Sequence, residues 1–242
     1  FRSELRLLIL TDYIKKDAEN EIGAVPIFKR LKKKGFKNIC LLTGNHIEMS
    51  EDIVFEAKGT GGSEESKANV LSLVRDYIAF GKIKNIVGTV AYLGEGWDAP
   101  WINSLILATT VRSYVTSNQM RGRAIRYLKD KPDKTSAIWY LLSMDSTFTG
   151  KYTATEQIDE LAERFTGFMG LSQNGNIITN GIERLNIPMN KLSKSEVDTY
   201  NDNVLNRAGN RDLINEKWQK ALVLSDGSTA KEKVFVDRKV IP

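Results

Sequence analysis

Residues 117–126 read SNQMRGRAIR, with Arg121, Arg123 and Arg126 set around a single glycine, Gly122. Guanidinium groups at this spacing suit the binding of phosphate oxygens. Each presents a planar fork of donors and keeps its charge. Gly122 would let an anion approach the main chain closely. Thr116 and Gln119 have capping-box spacing, which predicts a helix starting at Thr116 or Ser117. Gln119, Gly122, Arg123 and Arg126 would then fall in its first turns. A glycine there costs about 1 kcal/mol relative to alanine, and arginine is badly placed at the positive end of a helix dipole. A bound anion would offset both. A solvated basic helix face is the alternative for the same ten residues.

A second cluster is GTVAYLGEGWDAP, Gly88–Pro100. Gly94-x-Gly96-x-x-Ala99 formally matches a dinucleotide-binding fingerprint. That match is rejected: Pro100 and Trp101 do not continue a helix, and the glycines lie several residues beyond the apolar run. Other chemistries find no residues. His46 is the one histidine, with no cysteine cluster to make a zinc site. It forms no nucleophile pair with Cys40, and no Gly-x-Ser-x-Gly elbow is present. No Gly-x-x-x-x-Gly-Lys-Ser/Thr phosphate loop occurs, and GTGGSEESK is acidic and wrongly spaced. Asp159-Glu160-Leu161-Ala162 imitates an Asp-Glu box, but on an amphipathic helical pattern. The lysines between Lys29 and Lys37 read as a solvated helix end, and Trp97 and Trp101 as loop packing or a stacking surface.

The elements that must position these clusters alternate in type. Leu5–Leu10, Asn38–Leu42, Ser104–Leu107 and Ala137–Leu142 are largely apolar runs of strand length, and Ile83–Val87 reads as a further strand. Ile22, Val25, Phe28 and Leu31 recur at helical spacing, ending in lysines and Gly35; Val70, Leu71, Val74, Tyr77 and Ile78 do so before Gly81. Buried strands separated by amphipathic helices predict an α/β fold, a parallel sheet with helices on both faces. Ligands of such sheets sit beyond the carboxyl ends of strands, after Leu10, Leu42, Val87 and Leu107. Beyond about residue 150 the pattern becomes mostly helical. The expected organisation is a sheet domain over 1–150 and a helical accessory region over 151–242.

Composition narrows the class. The chain has 242 residues, a net charge of +5 and one cysteine. Mild basicity points weakly to nucleic acid. A lone cysteine excludes a disulfide within the chain and suits a reducing, cytoplasmic home. No apolar run is long enough to span a membrane. The opening Phe1, close before an apolar run, suggests a piece of a longer protein.

Taken together, Thr89, Gly-Glu-Gly-Trp-Asp-Ala-Pro and Gln119-x-x-Gly122-Arg123-x-x-Arg126 resemble motifs V and VI of superfamily 2 helicases and translocases. The interval from Thr89 to Asp98 is one residue longer than the family pattern. RLLILTDY is similar to motif IV, and ICLLTG to the strand that follows it. The resemblance covers residues 5–142, the second RecA-like domain. Its wording is most similar to bacterial proteins related to restriction-enzyme helicase subunits.

The resemblance implies an ATP site, with Mg²⁺, shared with an N-terminal RecA-like domain of the same full-length protein. That domain would hold the phosphate loop and most of the metal contacts. Arg123 and Arg126 would act as arginine fingers on the γ-phosphate and Gln119 would couple the site to its neighbours. Gly96, Asp98 and Gly122 would line the nucleotide side. Thr43, Gly44, Thr89 and Thr11 would touch nucleic-acid phosphates, with DNA favoured over RNA. The fragment alone would be inactive. Two alternatives stand beside this: a restriction-system motor translocating on duplex DNA, and a non-enzymatic nucleic-acid-binding or scaffolding module with a decayed ATPase.

Overall fold

The computed structural model describes residues 5–14, 23–44, 46–53, 64–93, 98–109, 114–131, 134–147, 150–154, 157–172, 175, 177–188 and 191–224. The chain divides into two compact units, residues 1–111 with 115–141, and residues 112–114 with 142–242.

The first unit is a six-stranded sheet in the order β3-β2-β4-β1-β5-β6. Its strands are β1 (Leu7–Thr11), β2 (Ile39–Thr43), β3 (His46–Met49), β4 (Asn85–Thr89), β5 (Ser104–Ala108) and β6 (Ala137–Tyr140). Helices α1 (Ala24–Lys33), α2 (Glu64–Ala79), α3 (Val90–Leu93) and α4 (Tyr114–Ala124) connect them. All neighbouring strands pair in parallel except β3, which turns back antiparallel on β2. The sheet is therefore mixed at one edge, where the sequence predicts only parallel strands. HIEM carries alternating polar groups and is only half-buried, so it lacks the apolar run of the inner strands.

Period-two alternation assigns the two faces. Leu7 and Ile9 of β1, Ile39 and Leu41 of β2 and Val87 of β4 pack with Ala24, Val25 and Phe28 of α1. Leu8, Leu10, Cys40, Leu42, Ile86, Leu105 and Leu107 pack with residues of the other helices: Val70, Val74 and Ile78 of α2, Leu93 of α3, and Met120 and Ala124 of α4. Helices thus cover both faces, as the apolar runs require. Gly35 and Gly81 take φ of 79° and 76° just after α1 and α2, conformations that favour glycine. Gly88 serves close packing: a Cβ there would come within 2.7 Å of the Leu42 carbonyl oxygen.

Among its described residues the second unit holds three α-helices, α5 (Gln157–Phe165), α6 (Lys194–Gly209) and α7 (Arg211–Leu224), and a 3-10 turn (Glu183–Leu185). Two small antiparallel pairs accompany them, β7 (Met144–Ser146) with β8 (Tyr152–Ala154), and β9 (Gly170–Leu171) with β10 (Ile178–Thr179). Asp159 and Glu160 lie in the first turn of α5, whose buried side carries Ile158, Leu161 and Phe165. Ser193 caps α6 in a reciprocal capping box with Glu196.

Candidate functional site

The strands fix the first group of candidates. Thr11 pairs with Thr89 across β1 and β4, and Leu42 with Gly88 across β2 and β4, which puts Thr43 beside Thr89. Thr43, Thr89 and Thr11 therefore form one row at the carboxyl edge of three adjacent strands. Parity with Ile9, Leu41 and Val87 places all three on the α1 side of the sheet. Each is buried. The sequence places the strand ends at Leu10, Leu42 and Val87. The strands instead run on to the threonines, whose branched Cβ suits extended backbone.

The three hydroxyls differ in what they can offer. Thr43 Oγ1 donates to the His46 carbonyl at 3.0 Å, across the β2–β3 turn. A hydroxyl has one donor proton, so in this arrangement Thr43 has none to give a phosphate. Thr11 Oγ1 is buried and has no hydrogen-bond partner among the described residues. Gly44 lies next in the chain, where an added Cβ would stand 3.7 Å from Tyr92. Beside Thr11, Thr109 donates its hydroxyl to the Asp12 carboxylate and ties the ends of β1 and β5. The sequence assigns no role to Asp12, although it lies within RLLILTDY, or to Thr109.

Helix α4 corrects the reading of the arginines. It begins at Tyr114, before Thr116, so the Thr116–Gln119 pair is not a cap. Arg121 and Arg123 fall in its last turn and Arg126 lies beyond its end. The arginines therefore meet the negative end of the helix dipole, which favours them. The buried positions Ser117, Met120 and Ala124 explain the mistake: a serine within the apolar stripe hides the helical period.

Arg123 and Arg126 differ in exposure and partner. Arg123 is 5% exposed. Arg126 is exposed and forms an ion pair with Asp98 through Nη1 and Oδ1. Gln119 is exposed on α4. Nothing lies within 4 Å of a Cβ built on Gly122, so this glycine is not required by the packing of the described residues. Gly96 and Trp97 lie outside the described residues.

The end of α4 is anchored near the start of β6. Ser136 Oγ donates to the Ala124 carbonyl at 2.5 Å, and the next residue, Ala137, donates its backbone N–H to Asn103 just before β5. The arginine end of α4 is thus drawn toward the amino ends of β5 and β6, whereas the threonine row occupies the carboxyl edge. The rule that ligands sit at carboxyl ends selects the threonines but not Arg126. Among the described residues no group of three or more His, Cys, Asp or Glu could hold a metal ion. No helix among them is long and apolar enough to cross a membrane.

No protein-family model matches the chain, and no curated protein matches it. Solved structures do. The C-terminal part of the Fun30 ATPase domain matches 58% of this chain and 36% of its own, at 15% identity and a TM-score of 0.40. The Pyrococcus furiosus Hef helicase domain matches 58% of this chain and 22% of its own, at 21% identity and a TM-score of 0.35. The chain therefore spans well under half the length of either structure.

Proposed function

We propose that this chain is the second motor domain of an ATP-dependent nucleic-acid helicase or translocase. The carrying observation is that Arg126, the last residue of Gln119-x-x-Gly122-Arg123-x-x-Arg126, meets Asp98 of the other motif across 28 residues of sequence. Two patterns read independently along the chain thus converge in space. Both partners are exposed, so the pair contributes at most about 1 kcal/mol and can be exchanged for a phosphate at little cost.

The residues present fit a nucleotide in chemical type: an exposed guanidinium, an adjacent carboxylate, and a glycine with open space before it. ATP, when bound with Mg²⁺ held largely by a first RecA-like domain of the same protein, supplies the phosphoryl group to be transferred to water. Arg126 donates to the γ-phosphate oxygens as charge builds there. Asp98 receives Arg126 between turnovers. Arg123, buried at the same helix end, adds positive potential there. At the opposite edge, the Gly44 main chain, beside the buried row of Thr43, Thr89 and Thr11, would meet nucleic-acid phosphates without reading sequence. The separation of the two edges lets closure at one change the grip at the other.

The test is ATPase activity of the full-length protein with single-stranded DNA, duplex DNA and RNA in turn. Stimulation by any of them supports the motor, and single-stranded DNA is expected to be strongest. Stimulation by duplex DNA alone would favour the restriction-system translocase, whose support is the wording LGEGWDAP…SNQMRGRAIR. No hydrolysis under any condition would leave a binding or scaffolding module.

A further inference from the structure

Arg126 lies outside α4, so the hydrogen bonding of the helix does not fix the direction of its side chain. Its main chain is held from the segment that leads into β6. The Lys134 ammonium donates to the Ala124 carbonyl at 2.8 Å and to the Arg126 carbonyl at 2.9 Å. Ser136 shares the Ala124 carbonyl. The last carbonyls of a helix lack intrahelical partners and carry the negative end of its dipole. An ammonium answers both needs from one atom, because it has three donors and a charge. Ile125, between the two carbonyls, still closes a backbone bond to Arg121 at 3.2 Å. The chain leaves the helix between these contacts and delivers the Arg126 guanidinium to Asp98.

We infer that Lys134 is a positioning residue for Arg126: it pins the carbonyl end of α4 so that the guanidinium is held over Asp98 and in reach of a phosphate. The functional half of this inference rests on the role proposed above for Arg126. The clamp itself rests only on the hydrogen bonds. Burial lowers the pKa of Lys134 to about 8, which leaves the ammonium mostly charged at neutral pH.

Two measurements test it. In this chain, amide hydrogen exchange over residues 121–131 reads the clamp directly. Lys134→Met should speed exchange at 125–128 by about tenfold, leave the sheet amides unchanged, and be largely reversed in Lys134→Arg. In the full-length protein, Lys134→Met should lower kcat by about tenfold with KM for ATP within about twofold, again with rescue by arginine. Should Lys134→Met fail to fold, Lys134→Gln, which is shorter and uncharged, gives the same comparison. Unchanged exchange in the methionine or glutamine variant overturns the clamp, whatever the ATPase does. Faster exchange with an unchanged kcat, where Arg126→Ala abolishes turnover, overturns the positioning role. If Arg126→Ala itself leaves turnover intact, the motor reading is what fails, and exchange alone decides the clamp.

Discussion

Arg126 and Asp98 are both exposed, and their pairing holds the guanidinium at the proposed phosphate site without binding it tightly. Asp98→Asn should therefore leave the fold unchanged within about 0.5 kcal/mol, as for most surface substitutions. It should lower ATP turnover less than loss of Arg126 does. Equal loss in both variants would make Asp98 more than a resting partner. Gly122 gives a second residue-scale test. No described atom would meet a Cβ there, so Gly122→Ala should raise the melting temperature, by up to about 1 kcal/mol of stability from helix propensity. In the full-length protein the same change should impair turnover if, as proposed above, nucleotide or the other motor domain approaches through this open space. A stabilised variant with full activity would show that the glycine serves neither.

At the scale of elements, Gly88 is the opposite case. A Cβ on β4 would stand 2.7 Å from the Leu42 carbonyl oxygen, a backbone atom that cannot step aside. Gly88→Ala should destabilise by about 1–3 kcal/mol, measured by urea unfolding. Cys40, on the neighbouring strand, is fully buried, and desolvation pushes its thiol up to about 12 from 9.0. The folded state keeps this proton to higher pH than the unfolded chain. Its stabilising contribution is thus complete below pH 9 and lost as pH rises toward 12. A thiol reagent at pH 8 should label the protein only after denaturant is added, and rapid native labelling would contradict the packing of β2. These elements were legible in the sequence where burial is uniform: β1, β2 and β5 carry the apolar stretches LLIL, ICLL and LIL, and α1 and α2 end near glycines. They were not legible where polar residues are buried or apolar ones are few. Threonines extend three strands past their apolar runs, Ser117 disguises the buried stripe of α4, and HIEM hides an edge strand. Lys134 gave no signal, because a lysine in a connecting segment shows its role only once the helix end it serves is placed.

For the whole molecule, under the function proposed above, the motif pair at one edge and the threonine row at the other make half of a motor. The chain alone should bind ATP weakly and not hydrolyse it, since it has no phosphate loop. Tight Mg-ATP binding by calorimetry would contradict this. Its binding to nucleic acid should be weak, indifferent to sequence and steeply salt-dependent, in keeping with phosphate contacts and a net charge of +5. A strong preference for one sequence would point to base-edge recognition instead. The most direct measurement is nucleic-acid-stimulated ATP turnover of the full-length protein carrying Arg126→Ala or Arg126→Lys, with folding checked by circular dichroism. A decisive arginine is worth about 10³–10⁵ in rate, and lysine keeps the charge but not the fork. Turnover reduced by orders of magnitude in the alanine variant, poorly rescued by lysine and mostly in kcat, is the predicted result; near-normal turnover in a folded Arg126→Ala protein would contradict the account.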